Sequence, residues 1–125
     1  MTILYVDDDD DDLQLFEEAI KEIDSSIVCL LKSAGKEALE LLENGLLPDL
    51  IFLDVNMPEM DGVTCLAKIR ENERFCDLKV ILLSVSPYTI NKERVRSFSA
   101  DFLTKPTNYE DLLKVLKRVL LNVKT

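Results

Sequence analysis

A chain of 125 residues can bury about two-thirds of its unfolded surface in one core, so the sequence predicts a single domain over residues 1–125. Its 47% hydrophobic and 31% charged residues are typical of a globular protein, and its net charge of −9 argues against nucleic-acid binding, which needs a basic surface. No apolar run approaches the roughly 20 residues of a membrane span and no signal-peptide pattern is present, so we expect a cytoplasmic protein without membrane contact.

Short runs rich in strand formers alternate along the chain with longer patterns of helical periodicity. The predicted strands are residues 2–6, 26–32, 48–55, 78–84 and 100–104. The predicted helices that follow them are residues 10–23, 35–45, 62–72, 90–98 and 111–122. Asn44-Gly45 is expected to end the second helix, and Asp61 to cap the third. Five β-α pairs favour an α/β fold, with an open parallel sheet covered by helices on both faces.

Polar residues follow the predicted strands at the points where these strands end. They are Asp7 and Asp8 after the first strand, Asp54 at the end of the third, Ser84 at the end of the fourth, and Lys105 after the fifth. In an open parallel sheet, ligands bind outside the carboxyl ends of the strands, so we expect these side chains to converge. Several carboxylates suit Mg²⁺, and a carboxylate can also attack phosphorus while an ammonium and a hydroxyl stabilise the transferred group.

Histidine is absent, which excludes mechanisms that need an imidazole base, ligand or phosphoryl carrier. The chain also lacks a glycine-rich phosphate-binding loop of the GxxxxGK type, so nothing predicts nucleotide binding. The inventory at the strand ends therefore favours phosphoryl transfer to a carboxylate.

Four segments together, ILYVDD, DLIFLDVNMPEMDG, VILLS and FLTKP, resemble the receiver domain of bacterial two-component response regulators. The likeness extends over about residues 2–122. It implies a doubly wound, flavodoxin-like (βα)5 fold with strand order 2-1-3-4-5, and a signalling switch that catalyses only its own phosphorylation and dephosphorylation. Because the sequence stops soon after the last predicted helix, it is most similar to single-domain, chemotaxis-type receivers.

The resemblance implies a phosphoacceptor and a metal site. Asp54 matches the residue that accepts the phosphoryl group. Asp8 would bind Mg²⁺ directly and Asp7 through water, while Asp54 and the backbone carbonyl of Asn56 would complete the protein ligands.

The resemblance also implies residues that respond to phosphorylation. Lys105 would pair with the acceptor carboxylate and then with the phosphoryl group, and its bond to Pro106 is expected to be cis. Ser84 matches the hydroxyl that moves to the phosphoryl oxygen, and Phe102 takes the place of the switch aromatic, without the hydroxyl of the more familiar tyrosine.

The six consecutive aspartates, residues 7–12, combine two expected roles. Asp7 and Asp8 belong to the metal site, and Asp9 could add charge or a contact around it. Asp10–Asp12 fall at the start of the first helix, where carboxylates favour the helix dipole and can cap unpaired N–H groups. We expect Asp10–Asp12 to have no further function.

The segment RSFSADF, residues 96–102, departs from the family pattern. Many receivers carry Gly-Ala shortly before the fifth strand. Here either Ser99-Ala100 takes that place with one residue deleted, or Phe98 stands where glycine is usual.

The resemblance implies a sensor histidine kinase or a phosphotransfer protein as the phosphoryl donor. A downstream protein is expected on the face formed by helix 4, strand 5 and helix 5, because the apolar residues of the last helix exceed one core-facing stripe. A homodimer on that face, or an ordinary buried helix, fits the same pattern. No nucleic-acid or membrane partner is expected.

Two other functions fit parts of the sequence. A phosphohydrolase with an aspartyl phosphate would need a second acid two residues after the nucleophile, where this chain has Asn56. A degenerate receiver that binds partners without being phosphorylated is the remaining alternative, and the complete set of acidic, hydroxyl and lysine residues argues against it.

Overall fold

The computed structural model describes residues 1–86 and 91–124, and within them five strands alternate with five helices. The strands are β1 (Thr2–Val6), β2 (Val28–Lys32), β3 (Leu50–Asp54), β4 (Val80–Ser84) and β5 (Asp101–Thr104). The helices are α1 (Asp10–Ile23), α2 (Gly35–Glu43), α3 (Gly62–Glu71), α4 (Lys92–Ser97) and α5 (Tyr109–Lys124). Ile90, the predicted start of the fourth helix, lies outside the described residues. Among the described helices, none has the length and apolar character of a membrane span.

The strands form one parallel sheet in the order β2-β1-β3-β4-β5, which confirms the predicted fold class and strand order. The central strands β3 and β4 are buried along their whole lengths because helices cover both of their faces. Val6 of β1 is paired with Leu53 of β3. The next residues, Asp7 and Asp54, therefore emerge side by side at the carboxyl edge, where the direction of winding changes and a crevice opens.

Alternate side chains of each strand enter two separate cores. In β1, Leu4 and Val6 join the core that α2, α3 and α4 cover. Ile3 and Tyr5 join the other core, which α1 and α5 cover. The acidic edge is therefore fixed from both sides by packed helices.

Two predicted helix ends are confirmed, the start of α5 is corrected, and one short helical turn is new. Asp61 caps α3 by accepting a hydrogen bond from the backbone N–H of Thr64 (2.7 Å), and Gly45 has the positive φ of 103° expected after α2. α5 begins two residues earlier than predicted, because Asn108 Oδ1 accepts a hydrogen bond from the N–H of Asp111 (2.9 Å). A 3₁₀ turn at Glu73–Phe75 was not predicted.

The start of α1 differs from the sequence expectation. Asp9, and not a residue of Asp10–Asp12, is the N-cap, and its side chain accepts hydrogen bonds from the N–H groups of Asp11 and Asp12. The reason is the backbone of Asp9, which is still extended (φ −95°, ψ 111°) and turns its carboxylate toward the first helical N–H groups.

The junction before β5 adopts the first of the two predicted arrangements. Ser99 has a left-handed backbone with φ of 55°, whereas Phe98 has φ of −92°. Ser99 therefore occupies the conformation that glycine adopts with least strain. Arg70 of α3 fixes this junction, donating hydrogen bonds to the carbonyl oxygens of Phe98 (2.7 Å), Ser99 (3.4 Å) and Phe75 (3.0 Å).

Candidate functional site

Three carboxylates converge at the carboxyl edge of the sheet, as the strand ends predicted. Asp7, Asp8 and Asp54 each place one carboxylate oxygen within 4.8 Å of the others. Asp7 and Asp54 are buried, while Asp8 is exposed to solvent. We call these three residues the acidic pocket. Like charges at this spacing repel one another, so the arrangement favours a bound cation.

Burial, and next to it the negative charge of Asp7, raise the pKa of Asp54 to about 6. The ammonium of Lys105 and a hydrogen bond from the backbone N–H of Asn56 oppose this shift without cancelling it. The ionised carboxylate of Asp54 thus loses favourable hydration on folding and is stabilised by any nearby positive charge. Asn56 itself is exposed, and the role of its carbonyl oxygen as a metal ligand stays a prediction.

Lys105 reaches the acidic pocket, but its closest contacts are not with Asp54. Its Nζ lies 2.7 Å from Asp7 Oδ2, 2.7 Å from Asp12 Oδ2 and 3.7 Å from Asp54 Oδ1. Burial lowers the pKa of Lys105, but the hydrogen bonds with Asp12 and Asp7 outweigh burial and leave the pKa above its ordinary value. The ammonium is therefore a fixed positive charge beside the carboxylate of Asp54.

The contact between Asp12 and Lys105 contradicts the expectation that Asp12 serves only the helix start. Asp12 lies four residues before Phe16, which is buried in the core between α1 and the sheet. Residues four apart share one face of a helix, so Asp12 is directed toward the sheet edge. The sequence carried this signal, since the spacing from Phe16 can be read without a structure.

The peptide bond between Lys105 and Pro106 is not cis, because no cis bond occurs among the described residues. The expectation from the family resemblance is wrong in this structure. The trans isomer is the intrinsically preferred one even before proline.

Tyr5 is a polar contact of the site that sequence reasoning missed. Its hydroxyl donates a hydrogen bond to Asp7 Oδ2 (2.5 Å), while Asp7 Oδ1 accepts one from the N–H of Asp9 (3.0 Å). Burial and the charge of Asp7 raise the pKa of Tyr5, so the phenol keeps its proton. With Lys105 also bound, the buried carboxylate of Asp7 has three partners. Because Tyr5 lies in an apolar strand, the sequence pattern indicates a core residue and gives no sign of this hydrogen bond.

Ser84 lies at the same edge, next to β5. It is buried, its Oγ donates a hydrogen bond to the carbonyl of Ser86 (2.7 Å), and its own carbonyl accepts one from the N–H of Lys105 (2.7 Å). Ser84 and Lys105 are thus joined through the backbone. Phe102 is half-buried, with the ammonium of Lys92 at 5.4 Å from its ring centroid. The switching roles of Ser84 and Phe102 stay predictions.

Gly62, the first residue of α3, lets that helix approach the strand that ends in Asp54. A Cβ atom at Gly62 would lie 2.5 Å from the carbonyl oxygen of Asp54 and 3.0 Å from Val55 Cα. The N–H of Gly62 donates a hydrogen bond to the carbonyl of Val55 (3.0 Å), which folds the loop back onto β3. Only glycine permits this backbone contact.

The fold and the pocket define a doubly wound α/β protein whose carboxyl edge suits a divalent cation and a phosphoryl group. Residues 3–117 match the family model of the response regulator receiver domain, so the chain belongs to this family. It is a receiver domain of two-component signalling, as the four sequence segments predicted.

Similar proteins with known names support the same family. The chain is 33% identical over 118 residues to the sensor histidine kinase CheAY of Helicobacter pylori, and the match covers 93% of this chain but 14% of the kinase. The structure is similar to the phosphorylated cyanobacterial phytochrome response regulator RcpA (TM-score 0.85, 27% identity, 94% and 89% of the two chains). It is also similar to the Mn²⁺-bound form of the response regulator Rcp1 (TM-score 0.82, 29% identity, 94% and 90%).

Proposed function

We propose that this receiver is a phosphorylation-dependent switch that accepts a phosphoryl group on Asp54. The observation that carries the proposal is the position of Asp54, a buried carboxylate grouped with Asp7 and Asp8 and 3.7 Å from the ammonium of Lys105. This arrangement offers a nucleophile, a cation site and a fixed positive charge within one pocket. A histidine kinase or a phosphotransfer protein is the proposed donor, in keeping with the kinases among its relatives.

The oxygen ligands that the acidic pocket offers fit Mg²⁺. Carboxylate oxygens within 4.8 Å of one another need small movements to become ligands of a cation that binds oxygen at roughly 2.0–2.1 Å. Asp7, Asp8 and Asp54 would hold the ion, together with the carbonyl of Asn56 and water. The Mn²⁺-bound state of Rcp1 supports a divalent cation in a similar protein. When bound, the ion would offset the charge of the phosphoryl oxygens.

The proposed reaction is a displacement at phosphorus. In the donor protein, the phosphoryl group is bound to a histidine nitrogen. A carboxylate oxygen of Asp54 forms a bond to phosphorus while the phosphorus–nitrogen bond breaks, and the electron pair of the broken bond stays on the nitrogen. The ammonium of Lys105 stabilises the transferred group electrostatically. Water later attacks the phosphorus, inorganic phosphate leaves, and Asp54 returns as a carboxylate. The chain acts on no separate substrate in this scheme.

We propose that phosphorylation is transmitted through Ser84 to the face formed by α4, β5 and α5. The Ser84 hydroxyl would give up its hydrogen bond to the carbonyl of Ser86 and donate one to a phosphoryl oxygen instead. The side chain of Phe102, in the adjacent strand β5, would change its position in response. The half-buried Val115 on α5, in the groove beside Thr104 of β5, supports a docking surface for a downstream protein or a second copy. All three cysteines are unpaired thiols, which supports a reducing compartment such as the cytoplasm.

Intact mass spectrometry with acetyl phosphate and Mg²⁺ tests the proposal. We expect one phosphoryl group on the wild-type protein, lost when Mg²⁺ is chelated and absent from Asp54→Asn. Asp10→Asn, which removes an exposed carboxylate of α1, is the matched control and should be phosphorylated.

Beryllofluoride separates a short-lived adduct from a domain that never accepts phosphate. A receiver that loses phosphate quickly should still give Mg²⁺-dependent chemical-shift changes around Asp54 and Ser84. If neither reagent modifies or binds the wild-type protein, the phosphorylation proposal is wrong and the degenerate-receiver function is supported.

A further inference from the structure

The side chain of Lys105 is shared between two carboxylates that belong to different parts of the fold. Its Nζ is 2.7 Å from Asp7 in the sheet edge and 2.7 Å from Asp12 on α1. The acceptor carboxylate of Asp54 is 1 Å further away, at 3.7 Å. The resting position of the ammonium is thus set by Asp7 and Asp12.

Asp7 and Asp12 differ in what holds them. The carboxylate of Asp7 is fully buried and bonded to Tyr5 and to the N–H of Asp9, so it keeps partners when the ammonium moves. The side chain of Asp12 is 35% exposed and Lys105 is its ion-pair partner among the described residues. Its backbone is fixed in the first turn of α1, where its N–H donates to Asp9 (3.3 Å).

We propose that Asp12 is a positioning residue that competes with the phosphoryl group for Lys105. The inference rests on the proposed phosphorylation of Asp54. Asp7 and Asp54 follow paired positions of adjacent strands, so the ammonium can contact a phosphoryl group on Asp54 without leaving Asp7. Asp12 approaches from a different element, α1, so a phosphoryl group on Asp54 would compete with it for the hydrogen bonds of the ammonium. The ion pair with Asp12 therefore opposes the phosphorylated state and favours the resting one.

The resting ion pair can be observed without any phosphoryl donor. In ¹⁵N-labelled protein, we expect the Lys105 ammonium resonance, assigned by its loss in Lys105→Met, to be protected from exchange with water. Asp12→Asn should shift it and increase its exchange rate, and Asp12→Glu should restore it in part. Asp11→Asn removes the same charge from the neighbouring exposed position of α1 and should leave it unchanged.

A titration with beryllofluoride at fixed Mg²⁺ tests the competition. Asp12→Asn should bind the anion roughly threefold to tenfold more tightly than Asp11→Asn, as expected for loss of one partly exposed ion pair that opposes binding. Equal affinities of these two variants, with a wild-type protein that binds, would overturn this inference alone. A wild-type protein that does not bind beryllofluoride would overturn the proposed function and the competition with it. A Lys105 resonance that is insensitive to Asp12→Asn would also overturn the inference.

Discussion

At the scale of single residues, Asp54 links the stability of the domain to pH. Its pKa is raised from an ordinary value of 3.8 to about 6, so the folded state favours the protonated form. This contribution to stability is complete below pH 4 and is lost as the pH rises through 6. We predict that, without divalent cations, Asp54→Asn is more stable than the wild type by about 1–3 kcal/mol at pH 8.

Urea denaturation at a series of pH values measures this difference. The advantage of Asp54→Asn should shrink toward zero near pH 4, where the wild-type carboxyl is protonated in both states. Asp10→Asn, at an exposed position, should show no such trend. A constant difference between Asp54→Asn and the wild type from pH 4 to pH 8 would contradict the assignment of a raised pKa to Asp54.

Tyr5 supports the site through one hydrogen bond to a buried carboxylate. Replacement by phenylalanine keeps the ring contacts with Phe16 and Phe52 but removes the donor to Asp7. Because hydrogen bonds to charged groups stabilise by about 1.5–3 kcal/mol, we predict a loss of stability in this range for Tyr5→Phe. Tyr109→Phe, which removes a long hydrogen bond to Glu22 (3.3 Å), is the control and should have a smaller effect. Equal unfolding midpoints of the two variants in urea would refute a special role for the Tyr5 hydroxyl.

At the scale of secondary-structure elements, two helices begin with a glycine, but the two glycines differ in what a side chain would contact. Gly62 starts α3 against the backbone of Asp54, whereas a Cβ at Gly35, the first residue of α2, would meet the flexible end of Met60 at 3.0 Å. We predict that Gly62→Ala costs about 2–3 kcal/mol, because the backbone has to move, and that Gly35→Ala costs less than about 1 kcal/mol. Chemical denaturation compares them. A similar cost for both would show that the contact of α3 with β3 tolerates a side chain.

The junction between α4 and β5 carries a strained residue. Ser99 has the left-handed backbone that costs a non-glycine residue roughly 1–2 kcal/mol. Glycine would remove this cost, but its greater freedom in the unfolded chain would offset part of the stabilisation. We predict that Ser99→Gly stabilises the protein by about 0.5–1 kcal/mol. Ser97→Gly, in α4, should destabilise it, since glycine is a poor helix former. Thermal unfolding of the two variants gives the signs directly, and a loss of stability in Ser99→Gly would contradict the strain.

At the scale of the whole molecule, the acidic pocket joins segments that are distant in the chain. Asp7 and Asp8 follow β1 and Asp54 ends β3, so a cation bound in the pocket would link these strands and stabilise the sheet against unfolding. We predict that Mg²⁺ at about 100 times its dissociation constant stabilises the protein by about 2.7 kcal/mol, because the unfolded chain lacks the assembled pocket. Calorimetry with Mg²⁺ and with a chelator measures the shift. An equal shift in Asp54→Asn would show that the ion binds elsewhere.

The sequence predicted the fold and the convergence of the acidic residues for one physical reason. Periodicity and apolar runs depend on neighbours a few residues apart, so they reveal strands, helices and the order in which they alternate. That order predicts a parallel sheet, and a parallel sheet places the residues after β1 and β3 at one edge. Exact strand starts were less predictable: β2, β3 and β4 begin two residues later than expected, because pairing with neighbouring strands decides them.

The tertiary structure alone decided which polar groups touch. The ion pair of Asp7 with Lys105 joins residues 98 apart in the chain, and the contact of Lys105 with Asp12 depends on how α1 packs on the sheet. No periodic pattern encodes local backbone geometry. Three further features depend on it: the cap at Asp9, the hydrogen bond of Tyr5 and the trans bond before Pro106. By itself, the sequence determined the order and approximate extent of the strands and helices and the acidic residues at the sheet edge. The packing of the helices decided which carboxylates hold the lysine, because contacts of 2.7 Å depend on atomic positions that short-range patterns do not specify.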